Sequence, residues 1–413
     1  MDFSNEPAHS EKLNIKGEHP FNAEPQLAEL VKHPLTPEEL MYCRSHCPVK
    51  TVDPASFKVT IDGPGGLTEK TLSYTLADLQ SEFQKVEVVA ALQCAGNRRK
   101  HMAEKKHQEV EGLKWDEGTI CNVKWGGVRM VDLLLRAGVR MLDLLPRTGD
   151  GTDEGNMQDL HLCFASHVSP CEEADWFGGS IPLRKAMDPE EDVLLAYEVN
   201  GKPLSPDHGG PFRVVVPGHS GVRWVKWVER ITVSTKESDN YYQQKDYKIL
   251  PPDVTTHDKA NDEAWWSRLP ALQSNTLNSA VASAELSDNN GQALHVKGYA
   301  VPGASGQVKK VEVSTDGGKT WTNAKITYQE GKWSWTLWEA TLQLSGADIG
   351  EVGVAGVGSM RANGTGGKVI SRAMDQSGNV QRFDKQVPWN LRGVGYDAVG
   401  EKLFEDETLH RSA

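Results

Sequence analysis

The spacing of apolar positions divides the chain into two regions. Between residues 41 and 270, short runs of branched apolar residues alternate with runs of helical periodicity, which is typical of a mixed α+β domain. Strands are predicted at Phe57–Ile61, Val86–Leu92, Val193–Glu198 and Phe212–Val216, and helices at Leu76–Gln84 and Val128–Ala137.

From Ala284 onward the pattern changes to strands and turns. Strands are predicted at Ala293–Ala300, Lys309–Ser314, Trp321–Ile326, Lys332–Ala340, Val352–Ser359 and Lys368–Met374. Asp316-Gly317-Gly318 and Ser377-Gly378-Asn379 are typical of tight turns. About seven short strands over about 120 residues predict an all-β, Ig-like sandwich.

These two patterns of apolar and polar positions predict the domain boundaries. We expect a polar N-terminal tail over 1–40, a mixed α/β domain over 41–272, an Ig-like domain over 273–394 and a C-terminal tail over 395–413. No internal repeat or low-complexity segment interrupts this arrangement.

Composition and charge exclude several classes of function. The formal net charge of −12 argues against nucleic acid as a partner. No apolar run reaches the roughly 18 residues of a membrane span, and the acidic N-terminus is not a secretory signal. We therefore expect a cytoplasmic protein without a membrane partner, with the peroxisome or mitochondrion as alternatives. An anionic substrate would need a local excess of Arg or Lys.

The 6 cysteines are irregularly spaced, which favours free thiols over a disulfide framework. Cys43 and Cys47 form one close pair, but no second pair at zinc spacing follows, so a zinc site is not predicted.

One cysteine lies in a stretch that concentrates candidate chemistry. The strand predicted at Val86–Leu92 leads into the turn Cys94-Ala95-Gly96-Asn97, and Arg98 and Arg99 follow directly. Cys94 is either a small buried core residue or a thiolate, favoured by neighbouring guanidinium groups, that binds a soft metal. The residues alone leave both interpretations open.

Further motifs follow in a fixed order. They are Arg44-Ser45-His46, Gly112-Leu113-Lys114-Trp115-Asp116, Asp207-His208-Gly209-Gly210-Pro211-Phe212-Arg213, Gly221-Val222-Arg223-Trp224-Val225-Lys226, Gln243-Gln244-Lys245-Asp246-Tyr247 and Trp389-Asn390-Leu391-Arg392. Arg44 and His46 share one face of an extended segment. The Gly-Gly-Pro turn before Arg213 predicts exposed backbone N–H groups suited to a phosphate.

In this order the motifs resemble those of the sulfite oxidase family, in particular its haem-free, plant-type members. The resemblance implies a molybdenum–molybdopterin cofactor, with Cys94 as the one protein ligand of the metal. It implies cofactor contacts from Arg44, His46, Cys94, His208, Arg213, Arg223 and Lys226. It implies a catalytic pocket for sulfite and sulfate formed by Cys94, Tyr247, Arg44, Arg99, Arg392 and Trp115, with Arg392 reaching back from the second domain.

The resemblance also implies a homodimer that forms through the C-terminal domain. No haem or flavin motif is visible, so the electron acceptor is expected to be external, either dioxygen or a separate cytochrome.

Alternatives stay open at this point. Trp115 and Tyr247 are also ordinary core residues, and Arg223 and Lys226 also fit a solvated charge pair on a strand. For the whole chain, the rivals are the molybdenum domain of an assimilatory nitrate reductase and a non-enzymatic Ig-like binding protein.

Overall fold

The computed structural model of the protein describes residues 1–139, 160–286, 293–303, 306–344, 350–351 and 365–405. The chain forms two units. The first contains Met1–Pro25, Leu35–Asn275 and Trp389–Gly395, and the second contains Gln26–Pro34, Thr276–Pro388 and Tyr396–Ala413.

The first unit mixes strands and short helices. Its strands are β1 (Leu13–Gly17), β2 (Asn22–Pro25), β3 (Val59–Asp62), β4 (Leu72–Tyr74), β5 (Val86–Gln93), β6 (Ile120–Arg129), β7 (His161–Ser166), β8 (Phe177–Pro182), β9 (Leu194–Val199), β10 (Lys202–Pro203), β11 (Arg213–Val215) and β12 (Arg230–Ser234). The helices of the chain are α1 (Leu27–Leu30), which belongs to the second unit, and α2 (Leu76–Glu82), α3 (Arg99–Lys106), α4 (Met130–Arg136), α5 (Leu183–Met187), α6 (Tyr241–Gln244), α7 (His257–Asp262) and α8 (Trp265–Arg268). Among the described residues, none of these helices has the length and apolar composition needed to cross a membrane.

Two larger sheets organise the first unit. One has the order β10-β9-β6-β5, with β11 paired to β9, and the other has the order β4-β3-β12-β7-β8. β5 pairs with β6 from Val86 opposite Gly127 to Gln93 opposite Ile120. Cys94 therefore directly follows the last paired residue of a buried strand, as its sequence position predicts.

The second unit contains two further sheets. Its strands are β13 (Asn278–Leu286), β14 (Ala293–Val301), β15 (Val308–Ser314), β16 (Thr322–Asn323), β17 (Lys325–Gln329), β18 (Thr336–Gln343), β19 (Gly350–Glu351), β20 (Thr365–Asp375) and β21 (Gly400–Glu405). They pair in the orders β13-β14-β18-β17 and β16-β15-β20-β19, with β21 on β20. Val281 and Leu294 from one sheet share a buried apolar cluster with Val311 and Val369 from the other. This arrangement confirms the predicted β-sandwich.

Some predicted elements are shifted or were missed. The helix predicted at Val128–Ala137 begins at Met130, because β6 continues to Arg129. The strand predicted at Lys332–Ala340 is β18, which begins at Thr336. Strand β13 was not predicted, and the strand predicted at Val352–Ser359 lies outside the described residues.

Both predicted tails are wrong as descriptions of their segments. Residues 1–40 contain the antiparallel pair β1–β2, and Phe21 is buried with its ring 3.7 Å from that of His9. At the other end, β21 pairs with β20 over Gly400–Glu405. The first segment is ordered by this local hairpin and by backbone pairing of Ala23 with Cys43, and the second by pairing of β21 with β20.

Candidate active site

Cys94 lies in the turn that follows β5. Its carbonyl accepts a hydrogen bond from the Asn97 N–H at 3.0 Å, and its Sγ accepts one from the Gly96 N–H at 3.4 Å. The residue is 7% exposed. Burial raises the pKa of the Cys94 thiol, whereas the charges of Arg99 and Arg44 act in the opposite direction. A bound cation would add to the arginines and favour the thiolate.

The thiol borders a cavity of about 720 Å³ in the first unit. The cavity is lined by Tyr42, Arg44, Ser45, His46, Cys47, Leu92, Cys94, Ala95, Phe177, Asp207, His208, Arg213, Gly221, Val222, Trp224, Lys226, Trp227 and Tyr247. Seven of the predicted site residues therefore share one cavity: Arg44, His46, Cys94, His208, Arg213, Lys226 and Tyr247.

His46 lies within hydrogen-bond distance of three polar side chains. Its Nε2 lies 2.7 Å from the Tyr247 hydroxyl, and its Nδ1 lies 3.1 Å from a Glu172 carboxylate oxygen. An Arg44 Nη atom lies 3.0 Å from the same Nε2. Burial, followed by the charge of Arg44, holds the pKa of His46 well below its usual value. A neutral His46 shares this hydrogen bond with the Tyr247 hydroxyl, and the histidine tautomer sets which of the two donates.

Two buried cations form another part of the wall. The Arg213 guanidinium donates to the His208 and Trp224 carbonyls at 3.0 and 3.3 Å. Lys226 Nζ donates to the Ser45 hydroxyl at 2.8 Å. Burial lowers the pKa of Arg213 to about 10 and also lowers that of Lys226.

The turn between His208 and Arg213 differs from its prediction in one respect. The N–H groups of Gly209 and Gly210 donate to the carbonyls of Pro206 and Ser205 at 3.0 and 2.9 Å. These amides are therefore satisfied within the turn and are not free for a phosphate. The polar side chains of the wall supply the charge instead.

Some buried donors on the wall lack an acceptor. Arg213 Nε and Trp227 Nε1 are buried and have no hydrogen-bond partner in the described parts of the chain. A buried donor without a partner costs free energy, so these atoms indicate a polar ligand.

Arg99 and Trp115 lie close together but do not line this cavity. Arg99 Nη1 donates to the Leu113 carbonyl at 3.0 Å. Burial, together with the nearby charges of Arg392 and Arg44, lowers the pKa of Arg99 to about 10. Electrostatically, the three arginines expected in the anion pocket therefore belong to one cluster.

Arg392 is neutralised by carboxylates. Its two Nη atoms lie 3.1 Å from Glu111 and 2.9 Å from Asp246, and Glu111 also contacts His257 at 2.7 Å. We call these four residues the Arg392 clamp.

Arg392 lies in sequence between two stretches of the second unit, Thr276–Pro388 and Tyr396–Ala413, but its own segment, Trp389–Gly395, belongs to the first unit. Backbone hydrogen bonds hold the segment there, from Glu111 N–H to the Leu391 carbonyl at 2.8 Å and from Gly395 N–H to the Ala95 carbonyl at 2.9 Å.

Arg223 does not line the cavity. Its guanidinium donates to the Leu272 and Tyr242 carbonyls at 3.0 and 3.4 Å and also bonds the Gln243 side chain. The structure therefore places this predicted cofactor contact in the protein interior.

Asn22 is a site residue that the sequence analysis missed. Its side-chain oxygen accepts from Arg44 Nη1 at 3.1 Å and from the Ser45 N–H at 3.0 Å. It thereby fixes the segment that carries Arg44 and His46. Asn22 lies within residues predicted to be a tail, and only its short apolar surroundings, Phe21 and Ala23, signalled a packed position.

Comparisons with known proteins agree with this geometry. Residues 46–242 match the family described as "Oxidoreductase molybdopterin binding domain", and residues 271–398 match "Mo-co oxidoreductase dimerisation domain". Sulfite oxidase of Gallus gallus is 39% identical over 401 residues, which cover 95% of this chain and 78% of that protein. The chain belongs to the sulfite oxidase family.

Other relatives place the chain within this family. Sulfite oxidase of Arabidopsis thaliana is 37% identical over 408 residues, covering 95% of this chain and 94% of the relative. Nitrate reductase [NADH] of Hordeum vulgare is 36% identical, but the match covers only 40% of that protein. The sulfane dehydrogenase SoxCD of Paracoccus pantotrophus shares the fold, with a TM-score of 0.70, 24% identity, and coverage of 96% of this chain and 87% of the other.

The cavity fits the molybdenum–pterin group that this family membership implies. Within the described ranges, no group of three or more His, Cys, Asp or Glu residues is placed to hold a metal ion. A metal at Cys94 therefore needs most of its donors from a non-protein group, as soft sulfur donors of a pterin would provide. The cationic wall and its unpaired donors suit the anionic part of such a cofactor.

Proposed function

We propose that this protein oxidises sulfite to sulfate at a molybdenum–pterin centre bound through Cys94. The observation that carries the proposal is a buried thiol on a cavity wall of buried cations, in a chain of net charge −12. Such a local reversal of charge is what binding of an anionic cofactor and an anionic substrate requires.

Different residues of the cavity bind different parts of the cofactor. Cys94 supplies the metal ligand, while His208, Arg213 and Lys226 bind the anionic groups of the pterin. When bound, the molybdenum supplies the two-electron oxidation, and water supplies the added oxygen. Arg44 and His46 line the same cavity as this wall.

The arginine cluster binds the substrate anion. Arg99 carries a buried charge that has no carboxylate partner among the described residues, so it is available to donate to an oxyanion. Arg392 is neutralised by the clamp and must exchange a carboxylate for the substrate. Trp115, which is fully buried next to Arg99, excludes water from that side.

Tyr247 completes the proposed pocket as a hydrogen-bond donor. Burial raises the pKa of its phenol, so the hydroxyl keeps its proton at neutral pH. Neutral His46 orients that hydroxyl at 2.7 Å. The pair therefore presents a positioned, uncharged donor rather than a further charge.

The electrons leave to an external acceptor in this proposal, either dioxygen or a separate cytochrome. Dioxygen consumption during sulfite turnover separates the two. The compartment stays a prediction, with the cytoplasm first and the peroxisome or mitochondrion as alternatives.

The deciding experiment measures metal content and substrate choice on one sample. We expect about one molybdenum per chain by elemental analysis and oxidation of sulfite with an artificial acceptor. Reduction of nitrate in preference to sulfite oxidation would favour the nitrate reductase alternative. Protein without molybdenum when produced in a cofactor-competent host would contradict both enzyme proposals.

We also propose a homodimer built through residues 273–394, which the match to a dimerisation domain supports. Light scattering at micromolar concentration should give twice the chain mass. A monomer under those conditions would contradict this proposal without affecting the catalytic one.

A further inference from the structure

Arg99 is a buried cation that has no carboxylate partner in the described parts of the chain. The side chain is 5% exposed, and its hydrogen bond goes to the Leu113 carbonyl at 3.0 Å. Its Nε has no partner within the described residues. Packing contacts must therefore fix the conformation of the Arg99 side chain, because no ion pair with a described residue does so.

Three glycines from separate segments supply that contact. A Cβ added at Gly393 would lie 2.6 Å from Arg99 Cγ, one at Gly112 would lie 2.7 Å from Nη1, and one at Gly96 would lie 2.7 Å from Nη2. The methylene stem and both ends of the guanidinium thus each pass against a residue without a side chain. We call Gly96, Gly112 and Gly393 the glycine collar.

Backbone conformation separates Gly96 from the other two members. Gly112 and Gly393 have φ values of 101° and 54°, where glycine is favoured whatever the surrounding space. Gly96 is not among the residues with positive φ, so its backbone would tolerate a side chain. The absence of a Cβ at position 96 is therefore explained by space: the Cβ would also lie 2.8 Å from Arg99 Cζ and 3.1 Å from Trp115 Cδ1.

We propose that Gly96 is a positioning residue for oxyanion binding, because it leaves the space in which the Arg99 guanidinium sits beside Cys94. The inference rests on the proposed function, since it takes Arg99 as a group that contacts the substrate. In this proposal the turn after β5 has two roles: it positions the Cys94 thiol, and it leaves space for the Arg99 guanidinium.

The direct test is Gly96→Ala in the holoenzyme. The added methyl meets the far end of a flexible side chain, so the guanidinium moves and the fold is retained. We expect the KM for sulfite and the Kd for sulfate, measured by calorimetry, each to rise about tenfold, as for a lost charge-assisted hydrogen bond. We expect kcat to change by less than about twofold, since the lost interaction is one made in the bound ground state.

Molybdenum content distinguishes this effect from damage to the metal site. Alanine keeps the amide that donates to Cys94 Sγ at 3.4 Å, so metal content should equal that of the unmodified enzyme. A matched control is Gly17→Ala, where the new Cβ lies at least 3.5 Å from its neighbours and φ is not positive. That variant should leave KM, Kd and kcat unchanged.

Arg99→Met shows whether position 96 acts through Arg99. The methionine side chain ends at the position of Nε and lacks the Cζ and Nη atoms that the new methyl would meet, so Gly96→Ala should add little to the KM of the Arg99→Met enzyme. If Gly96→Ala alone fails to fold, the double variant should recover folding. Failure of both to fold would overturn the proposal, because the space would then be needed for something other than Arg99.

The remaining outcomes separate this inference from the proposed function. If the unmodified enzyme oxidises sulfite and Gly96→Ala leaves KM and Kd unchanged, the collar inference is wrong and the function stands. If the unmodified enzyme binds neither sulfite nor sulfate, the proposed function fails first.

Discussion

The cavity wall and the Arg392 clamp each contain a buried arginine, but the two arginines have different hydrogen-bond partners. On the wall, Arg213 bonds carbonyl oxygens and keeps an unpaired buried Nε. In the clamp, Arg392 contacts the carboxylates of Glu111 and Asp246 at 3.1 and 2.9 Å. Arg213 therefore has no carboxylate partner among the described residues, whereas Arg392 is neutral until something displaces a carboxylate.

This difference matches the lifetimes of the two proposed ligands. A cofactor that stays bound can neutralise buried cations permanently, and the cost of burying them is then offset throughout the life of the protein. A substrate that leaves after each turnover exposes its site repeatedly, so a resident carboxylate that takes its place keeps the empty state stable. The predictions below test this division.

The largest expected effect is a loss of turnover in a variant that still binds the pterin. Cys94→Ser replaces a soft ligand by a hard one and should lower turnover by about a thousandfold or more, on the order of 4 kcal/mol. The pterin should remain bound, because the cationic wall is intact. Absorbance of the released pterin and steady-state kinetics check both points, with Cys163→Ser, outside the cavity, as the control. Near-normal sulfite oxidation would remove Cys94 from the metal site.

Arg392→Gln tests the exchange of a carboxylate for the substrate. Loss of a charge-assisted hydrogen bond, about 1.5–3 kcal/mol, should raise the KM for sulfite roughly tenfold or more. Rising salt should weaken affinity in the unmodified enzyme, because other anions compete. Kinetics at low and high ionic strength measure this, with Arg136→Gln as an exposed control. An unchanged KM would place Arg392 outside the substrate pocket.

The charge of the wall should also be visible in the pH dependence of stability. Burial, then Arg213 and Lys226, lower the pKa of His208 from 6.5 to about 3. Below pH 6.5 the unfolded chain binds a proton that the folded protein does not, so stability falls as pH drops toward 3. Between pH 7 and 5 this residue alone should account for a loss of about 2 kcal/mol.

Urea unfolding of the cofactor-free protein at both pH values measures that loss. His208→Gln should make the dependence shallower, whereas His167→Gln, at an exposed histidine, should change it less. Equal slopes in all three proteins would show that the wall does not hold His208 neutral.

The smallest expected effect is a change in folding stability that has opposite signs in a wall variant and a clamp variant. In cofactor-free protein, Arg213→Met removes a buried, uncompensated charge and should stabilise the fold by about 1–2 kcal/mol, after the loss of two hydrogen bonds. Arg392→Met removes the arginine partner of Asp246 and one of the two partners of Glu111, and should destabilise it by a similar amount. Chemical denaturation compares the two. The same sign for both variants would refute the contrast between wall and clamp.

Local sequence was enough to predict β3, β5, β9 and β11 of the first unit, several strands of the second unit and the residue types of the site. The branched run Val86–Leu92 corresponds to β5, and Cys94 follows it directly. Strand β13 escaped prediction because Asn278–Leu286 is rich in Ser and Ala, whose side chains carry little apolar periodicity. It becomes a strand by pairing with β14 along its whole length.

The partners of the site residues were not predictable in the same way. Arg392 and Glu111 are 281 residues apart, and Asn22 and Arg44 are 22 apart, so no local pattern joins them. The amides of Gly209 and Gly210 were expected to face a ligand, but the turn uses them internally. Sequence indicates which chemistry is present, while the fold decides which donors remain free.

The position of Trp389–Gly395 in the first unit has a consequence for biosynthesis. Its backbone bonds to Ala95 and Glu111, and its contact with Arg99 through Gly393, cannot form until the whole of Thr276–Pro388 has been translated. At the usual rate of synthesis this is a delay on the order of ten seconds after Asn275 is made. The nascent chain therefore carries an unfinished pocket through that interval, and a mature site for the cofactor first exists only after Trp389–Gly395 has left the ribosome.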